Sequence, residues 1–331
     1  MKIILSEEAG GPETLRLRER AAPEPGADEV RIAVRFVGIN YPDALIIEDR
    51  YQSKPNRPFA PGGECSGVID AVGSGVSGFK VGDRVMALPL LGGLAEKLCI
   101  RADACHLLPE GVTDMQAAAL QMAYGTALYA IKERGAVKAG ETVVVLGAAG
   151  GVGLASVEIA KAMGARVVAV ASTEEKLSTA RDHGADIALL YPPGSLDRAG
   201  QKELSTKLHD AVGPKGADIV MDVVGGDYSE PALRCMGWGG RFLVVGFPAG
   251  IPKLPANIAL FKSCDIRGVS WGEAMERDPS AHRHAMTTLL HMCATGAINP
   301  RIHEIHPLAD AGKAIATLSR RAAIGKVLVS V

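Results

Sequence analysis

The hydrophobic pattern divides the chain into an N-terminal part made of short strands and a central part in which strands and helices alternate. Before residue 110 the apolar runs are short and glycine turns separate them. Residues 30–37 (VRIAVRFV) alternate charged and apolar positions, and residues 65–72 (CSGVIDAV) lead into a turn rich in glycine at 73–78. This spacing predicts a small β barrel or sandwich.

From about residue 142 the pattern predicts an α/β fold, a doubly wound parallel sheet built from right-handed βαβ units. Buried strands are predicted at 142–146, 166–171, 186–191, 219–224, 240–245 and 266–270, and helices at 151–163, 174–183 and 196–212. After residue 278 we predict one helix (284–294) and a closing strand beginning at Lys326. Because this last segment has β character, we expect it to return to the first domain.

A glycine turn follows the first central strand. The segment Gly147-Ala-Ala-Gly-Gly-Val-Gly153 links that strand to a helix, which is the required context of a dinucleotide fingerprint, here A-x-G-x-x-G. Its glycines let the backbone reach a pyrophosphate, and the helix N-terminus offers free N–H groups and a positive dipole. A mere tight turn is the alternative, which the following αβ elements disfavour. We predict cofactor contacts from Ala149, Gly150, Gly151 and Val152.

The end of the second central strand favours NADP(H) over NAD(H). NAD enzymes carry an Asp or Glu about 20 residues past the glycine turn, where it binds the ribose 2′-hydroxyl. Here Ser172 stands in that place and Lys176 follows on the next helix. The missing carboxylate admits a 2′-phosphate and Lys176 supplies a cation, although Glu174 and Glu175 lie close by. The alternative for Lys176 is a solvated helix lysine.

Composition and charge exclude several function classes. Lys and Arg number 36, Asp and Glu number 37, and the net charge is −1, which argues against a nucleic-acid partner and a polybasic membrane anchor. Apolar residues make up 47% of the chain, which excludes disorder. Glycine is abundant, at 39 of 331 residues, as in a chain with many tight turns or close backbone approaches.

The cysteines and the N-terminus indicate a cytoplasmic protein. None of the six cysteines forms Cys-x-x-Cys, and none has His ligands at zinc-finger spacing, so we expect free thiols packed as small hydrophobes. The N-terminal residues lack an apolar signal segment, and no run reaches the length of a membrane helix.

Several motifs together resemble the medium-chain dehydrogenase/reductase superfamily: Pro61-Gly-Gly-Glu-Cys-Ser-Gly67, Gly82-Asp-Arg-Val85 and the glycine turn. Other segments resemble its zinc-free NADPH:quinone oxidoreductase branch, the ζ-crystallin-like group: Gly38-Ile-Asn-Tyr-Pro-Asp43, Tyr51-Gln-Ser-Lys-Pro55, Ile266-Arg-Gly-Val-Ser-Trp-Gly272 and Gly325-Lys-Val-Leu328. The resemblance covers essentially the whole chain.

The resemblance implies three segments. A GroES-like catalytic domain spans 1–122, a Rossmann NADP-binding domain spans 123–275, and a C-terminal segment (276–331) completes the catalytic domain. The active site is expected in the cleft between the two domains. A homodimer is expected as well, in which the apolar strand 266–270 pairs with its counterpart across a two-fold axis.

The residue types argue against a zinc site. Zinc members need a catalytic Cys near the position of Asn40 and a His–Glu pair in the stretch where this chain has Gly63 and Glu64. Neither an amide nor a glycine can replace a thiolate or an imidazole on zinc. The four-cysteine structural lobe expected at 90–105 is also missing. We therefore expect no metal.

Without a Lewis acid, the accessible chemistry is hydride delivery from NADPH to an acceptor that conjugation already polarises, such as a quinone or an α,β-unsaturated carbonyl. The protein then supplies orientation and hydrogen-bond donors for the developing anion. The resemblance places Asn40, Tyr41 and Tyr51 beside the nicotinamide, with Asp43 to orient them. The alternative for Asn40 and Asp43 is that they only satisfy local backbone groups.

The resemblance implies further cofactor contacts. They are expected from Thr126, Tyr191, Val245, Gly246, Phe247, Val269, Ser270, Trp271 and Lys326. For Val245 and Val269 the alternative is a core position, and for Lys326 it is a surface lysine.

Two other functions stay open from the sequence. One is an enoyl-thioester reductase of the acryloyl-CoA type on the same scaffold. The other is a non-enzymatic NADPH-binding protein, either crystallin-like or RNA-binding, and the balanced charge argues mildly against RNA.

Overall fold

A computed structural model describes residues 1–331 and divides them into two compact units. Unit 1 comprises Met1–Met122 with Met286–Val331, and unit 2 comprises Ala123–Ala285. We predicted that the C-terminal segment would begin at residue 276. The structure places that boundary at Met286, within the single long helix Pro279–Ala294. The residues of this helix up to Ala285 belong to unit 2, and those from Met286 onward belong to unit 1.

The chain forms fifteen strands and eleven α-helices. The strands are β1 (Lys2–Leu5), β2 (Arg16–Glu19), β3 (Glu29–Ile39), β4 (Glu64–Val72), β5 (Arg84–Ala87), β6 (Lys97–Arg101), β7 (Cys105–Leu107), β8 (Thr142–Leu146), β9 (Arg166–Ala171), β10 (Ile187–Leu190), β11 (Ala217–Asp222), β12 (Met236–Val244), β13 (Asp265–Gly268), β14 (Ile302–Pro307) and β15 (Lys326–Ser330).

The α-helices are α1 (Tyr41–Ile47), α2 (Asp114–Ala118), α3 (Gln121–Leu128), α4 (Gly151–Ala162), α5 (Glu174–Asp182), α6 (Arg198–Val212), α7 (Ser229–Arg234), α8 (Ala256–Lys262), α9 (Trp271–Arg277), α10 (Pro279–Ala294) and α11 (Ala311–Ser319). Short 3₁₀ helices occupy Pro12–Thr14, Ala102–Ala104, Gly226–Tyr228 and Leu308–Asp310, and a π-helix occupies Tyr129–Arg134. None of these helices combines the length and the apolar character that crossing a lipid bilayer requires.

Unit 1 is built on a seven-stranded sheet in the order β14-β15-β3-β4-β5-β7, with β6 also paired to β3. In β3 the buried side chains Val30, Ile32 and Val34 alternate with more exposed ones, as the sequence pattern predicts for a strand with one face on a core. The C-terminal strand β15 pairs antiparallel with β3, with Val327 opposite Ile39. The β-rich character predicted for the first domain is therefore confirmed.

Unit 2 is a six-stranded parallel sheet in the order β10-β9-β8-β11-β12-β13. Counted within the unit this order is 3-2-1-4-5-6, which is that of the Rossmann fold. The central strand β8 lies between β9 and β11, and its residues Val143 to Leu146 are fully buried, which explains their unbroken apolar run. The predicted doubly wound α/β fold is confirmed, and the bounds of β8 and β9 coincide with the prediction.

The last Rossmann strand is shorter than predicted. It covers Asp265–Gly268, because Ser270 already acts as the N-cap of α9. Helix α6 begins at Arg198 instead of residue 196, since the side chain of Asp197 caps its first turn by accepting a hydrogen bond from the Gly200 N–H.

Candidate functional site

The glycine turn lies at the carboxyl end of β8 and leads directly into α4. Gly147 has a left-handed backbone (φ 66°), and a Cβ atom on Gly153 would lie 2.1 Å from the Gly147 carbonyl oxygen. The turn and the first helical residues therefore pack so closely that these two positions require glycine. Gly150 is the N-cap of α4 and has no side chain that could cap the helix, so the first N–H groups of the helix are available to a phosphate.

The end of β9 brings a hydroxyl and an ammonium group together. Thr173 caps helix α5 by accepting from the Lys176 N–H, and this turn brings Lys176 Nζ to 3.5 Å from Ser172 Oγ. Partial burial lowers the pKa of the Lys176 ammonium. No carboxylate occupies the strand end itself, so the geometry fits a ribose 2′-phosphate better than a free 2′-hydroxyl.

The ring of Tyr191 faces the interior of unit 2. The side chain is 8% exposed, and its ring centroid lies 4.7 Å from that of Tyr228. Tyr228 in turn donates its hydroxyl to the carbonyl groups of Pro192 and Gly194, which fixes the segment after β10. A contact between Tyr191 and the adenine or the 2′-phosphate stays a prediction.

The segments after β12 and β13 lie at the same sheet edge as the glycine turn. Val245 and Val269 extend the strand pairing, because their N–H groups donate to the carbonyls of Asp222 and Val244. A Cβ atom on Gly246 would meet nothing closer than 3.9 Å, so within the protein this position does not require glycine. The neighbouring Phe247 is 45% exposed.

Trp271 is a packing residue of unit 2. Its side chain is 8% exposed, and a Cβ atom on Gly125 would lie 2.5 Å from its indole ring. The ring also makes an edge contact with His282. Thr126 is partly exposed on α3. Cofactor contacts of Thr126, Val245, Gly246, Phe247, Val269, Ser270 and Trp271 stay predictions.

Two polar clusters of unit 2 were missed by the sequence reasoning. Asp222, at the end of β11, accepts hydrogen bonds from the Val224 and Gly225 N–H groups and from Ser229 Oγ, and burial raises its pKa. It fixes the turn at the carboxyl edge of the sheet, and the Gly225-Gly226 pair that follows it was the available signal. In the second cluster, the buried Glu158 accepts from the Tyr124 hydroxyl and lies 2.7 Å from His183 Nδ1.

Unit 1 contains a buried polar network of Asn40, Asp43, Glu64 and Lys326, which we call the Glu64 network. Lys326 Nζ lies 2.5 Å from Glu64 Oε1, 2.6 Å from Asn40 Oδ1 and 3.2 Å from the Ile39 carbonyl oxygen. Glu64 is fully buried and Lys326 is 4% exposed, so Lys326 is not a surface lysine. All three ammonium hydrogens have protein acceptors. A contact between Lys326 and the cofactor or substrate stays a prediction.

The other members of the Glu64 network are also fully engaged. Asn40 Nδ2 donates to Glu64 Oε1 and to the Gly38 carbonyl, and Glu64 Oε2 accepts from the Met122 N–H. Asp43 accepts from the backbone N–H groups of Asn40 and Gly62.

Burial raises the pKa of Asp43 to about 6, although the two N–H donors and the Lys326 charge oppose the rise. The network thus holds the start of α1 rigidly and leaves no side-chain donor of Asn40 for a substrate.

The two tyrosine candidates lie outside the Glu64 network, to which Asn40 and Asp43 belong. Tyr41, the first residue of α1, is 39% exposed. Tyr51 is half-buried and packs against the apolar core of unit 1. Neither hydroxyl has a hydrogen-bond partner in the protein, so both can donate to solvent or to a ligand. Their roles as substrate contacts stay predictions.

Comparison with known proteins agrees with this architecture. The family model "Alcohol dehydrogenase GroES-like domain" matches residues 26–138, and the model "Zinc-binding dehydrogenase" matches residues 151–292. Quinone oxidoreductase-like protein 2 of Bos taurus is 38% identical over 94% of this chain and 88% of its own length. The quinone oxidoreductase of Homo sapiens is 33% identical over 95% of this chain and 92% of its own length.

A solved structure is similar over the full length of both chains. The Escherichia coli quinone oxidoreductase, determined in complex with NADPH, superposes with a TM-score of 0.89 at 29% identity and covers 100% of each chain. Together with the relatives above and the motifs at the glycine turn, this likeness identifies the family. The chain belongs to the quinone oxidoreductase family of the medium-chain dehydrogenase/reductase superfamily.

Proposed function

We propose that the protein is an NADPH-dependent oxidoreductase that transfers a hydride to a quinone or an α,β-unsaturated carbonyl without a zinc ion. The observation that carries the proposal is the pairing, within unit 2, of the glycine turn at β8 with the Ser172–Lys176 contact at β9. The complex of the similar Escherichia coli enzyme with NADPH supports the same cofactor.

The residues of unit 2 fit NADPH. Gly150, Gly151 and the free N–H groups of α4 are suited to the pyrophosphate, and Ser172 with Lys176 is suited to the 2′-phosphate. When bound, the cofactor supplies the hydride. The protein contributes the fixed position of the turn, which Gly147 and Gly153 make rigid by close backbone contact.

Zinc independence rests on the chemistry of unit 1. Asn40 and Gly63 occupy positions where a zinc enzyme of this superfamily needs a thiolate and an imidazole, and neither can coordinate the ion in their place. The Lys326 ammonium, 2.5 Å from Glu64, already neutralises the carboxylate there and would repel a divalent cation.

In this proposal, two tyrosine hydroxyls donate hydrogen bonds to the acceptor as it is reduced. Reduction of a conjugated carbonyl places negative charge on an oxygen, which a hydrogen-bond donor stabilises. Tyr41 and Tyr51 have unpartnered hydroxyls for this purpose, while the Glu64 network positions Tyr41 by holding Asn40 directly before it. Asn40 and Asp43 act in this proposal by positioning.

The test is the consumption of NADPH by purified protein in the presence of quinones, enones and enoyl-CoA thioesters. Turnover with quinones or enones supports the proposal. Turnover with enoyl-CoA thioesters alone supports the enoyl-thioester reductase instead. Binding of NADPH with no turnover of any acceptor contradicts both enzyme functions and leaves the non-enzymatic one.

We further propose that the protein forms a homodimer through the edge of the unit 2 sheet. Strand β13 pairs with β12 on one side only, and Ile266 within it is 43% exposed. Leu260 and Phe261, at the end of the adjacent helix α8, are each 74% exposed. An unpaired strand edge with these exposed apolar side chains near it is suited to a second copy of the same strand.

A further inference from the structure

Helices α6 and α7 pack against each other in unit 2 and line a cavity of about 370 Å³, which we call the α6–α7 cavity. Its lining includes Arg198, Lys202 and Ser205 of α6 and Glu230 and Arg234 of α7. Cavities of roughly 300 Å³ and more hold small organic molecules. The three cationic side chains are exposed, so a ligand can enter this cavity directly from solvent.

The α6–α7 cavity carries positive charge that the protein does not neutralise. Three cations against one carboxylate leave its lining with a net charge of +2. Arg234 pairs with Glu230 at 2.6 Å, whereas Arg198 and Lys202 form neither an ion pair nor a side-chain hydrogen bond. Because Lys202 follows Arg198 by four residues on a helix, the two unpaired cations project from the same side of α6.

The position of Arg198 on α6 also favours a bound anion. Arg198 is the first residue of the helix, at the positive end of the helix dipole, and the first turn contains no acidic residue. The N-cap Asp197 uses its side chain to accept from the Gly200 N–H. A cation at this end of a helix is unfavourable in the free protein, and an anion beside it would remove the repulsion.

Neutral and acidic groups of the α6–α7 cavity are available to hydroxyl groups. Ser205 Oγ forms no hydrogen bond within the protein, and Glu230 uses only Oε1 to accept from Arg234, which leaves Oε2 as an acceptor. A serine hydroxyl both donates and accepts, so these two groups complement the hydroxyls of a sugar. Arg and Lys complement a phosphate, which alone is too small to fill the cavity.

The α6–α7 cavity and the Ser172–Lys176 contact belong to opposite faces of the unit 2 sheet. Helix α5, which carries Lys176, joins β9 to β10, and α6 joins β10 to β11. The direction of the strand order reverses between these two connections. Because crossovers between parallel strands are right-handed, helices before and after such a reversal lie on opposite faces. A phosphate in the cavity is therefore distinct from the cofactor 2′-phosphate.

We propose that the α6–α7 cavity binds a sugar phosphate. Arg198 and Lys202 bind the phosphate group, and Ser205 and Glu230 bind hydroxyls of the sugar. This second ligand site goes beyond the proposed function and does not depend on it, because every residue that carries it lies outside the elements proposed to hold NADPH.

The test is calorimetric titration of the full chain with glucose 6-phosphate, with and without saturating NADPH. The variant Arg198→Ala/Lys202→Ala removes the two unpaired cations of the cavity. The matched control is Lys207→Ala/Lys215→Ala, which removes the same charge from two exposed lysines of unit 2 outside the cavity. Inorganic phosphate and glucose are titrated as well, to separate recognition of the phosphate from recognition of the sugar.

We expect glucose 6-phosphate to bind wild type with a Kd at or below about 1 mM, whether or not NADPH is present. Inorganic phosphate and glucose should each bind more weakly. The Arg198→Ala/Lys202→Ala variant should raise the Kd about tenfold or more, because it loses both charge-assisted contacts. The same variant should melt at or above the wild-type temperature, since Arg198 no longer opposes the helix dipole, and should keep its Kd for NADPH.

The proposal is overturned if glucose 6-phosphate does not bind at millimolar concentration or binds this variant as tightly as wild type. An equal loss of affinity in Lys207→Ala/Lys215→Ala would also overturn it, because it would show a general effect of charge. Displacement of the sugar phosphate by NADPH would place it in the cofactor site. Equal affinity for inorganic phosphate would show that the cavity does not recognise the sugar.

The outcomes for this site and for the proposed function are separable. A protein that does not bind NADPH contradicts the proposed function, and the titrations without NADPH then decide on the α6–α7 cavity. A protein that binds NADPH but no sugar phosphate contradicts the cavity site alone.

Discussion

At the scale of single residues, the proposed preference for NADPH can be tested at Lys176, whose ammonium lies beside Ser172 at the end of β9. We expect Lys176→Ala to raise the KM for NADPH about tenfold and to leave the KM for NADH nearly unchanged, because only NADPH carries the 2′-phosphate. Steady-state kinetics with both cofactors measures this. The control is Lys207→Ala, because Lys207 forms only an exposed ion pair with Glu203. Equal rises for both cofactors would refute a 2′-phosphate role.

A second residue-scale prediction concerns the Lys326–Glu64 pair. Lys326→Met leaves a fully buried carboxylate without its cation, which should lower the free energy of unfolding by about 3–5 kcal/mol. The double variant Lys326→Met/Glu64→Gln should recover most of this loss, because no unpaired charge then remains. Urea unfolding of wild type, Lys326→Met, Glu64→Gln and the double variant tests the coupling. A Lys326→Met protein as stable as wild type would contradict the prediction.

The raised pKa of Asp43 predicts the direction in which the stability of the protein changes with pH. Because burial raises its pKa from 3.8 to about 6, the folded state favours the protonated acid. Its contribution to stability is therefore fully present below pH 3.8 and is lost as the pH rises through 6. The difference in unfolding free energy between wild type and Asp43→Asn should fall over this interval, as measured by urea unfolding at each pH. A difference that is constant or rises with pH would contradict it.

Local chemistry was predictable from the sequence and long-range pairing was not. The glycine turn and Ser172 with Lys176 are contiguous features whose geometry follows from a strand, a turn and a helix. The Lys326–Glu64 contact joins residues 262 positions apart. It depends on the register of β15 and β4 on β3, with Val327 opposite Ile39 and Glu64 opposite Gly38. No pattern along the chain specifies that register.

At the scale of elements, we expect the junction between β8 and α4 to contain one glycine that the fold requires, Gly153, and one that cofactor binding requires, Gly150. Gly153→Ala should destabilise the fold, because its Cβ would lie 2.1 Å from a backbone oxygen. Gly150→Ala should fold like wild type, because the nearest atom is 3.7 Å away and φ is −74°. We nevertheless expect it to weaken NADPH binding by hindering backbone approach to the pyrophosphate. Thermal melting and fluorescence titration measure the two effects. Normal binding by Gly150→Ala would contradict this arrangement.

Element boundaries were predicted best where burial is complete. The bounds of β8 and β9 follow from unbroken apolar runs, because both strands are buried on two faces. The start of the C-terminal segment was predicted less well. Helix α10 runs from Pro279 to Ala294 across the change from unit 2 to unit 1, and after Pro279 its sequence carries no glycine or proline that would mark the change.

At the scale of the whole molecule, the exposed apolar residues of unit 2 predict the oligomeric state. Light scattering should give a mass near twice 34.5 kDa. Phe261→Asp should shift this mass toward the monomer, because it places a charge on the proposed contact surface. Val81→Asp, at an exposed position of unit 1 (63%), is the control and should leave the mass unchanged. A wild-type mass near 34.5 kDa would contradict the dimer.

The rate of NADPH oxidation by chelator-treated protein with a quinone or an enone tests zinc-independent hydride transfer most directly. We expect chelation to leave turnover unchanged, because in the proposed site tyrosine hydroxyls, positioned by the Glu64 network, act where zinc enzymes use the ion. We also expect faster turnover with NADPH than with NADH. Loss of activity on chelation, or binding of NADPH without oxidation by any acceptor, would contradict it.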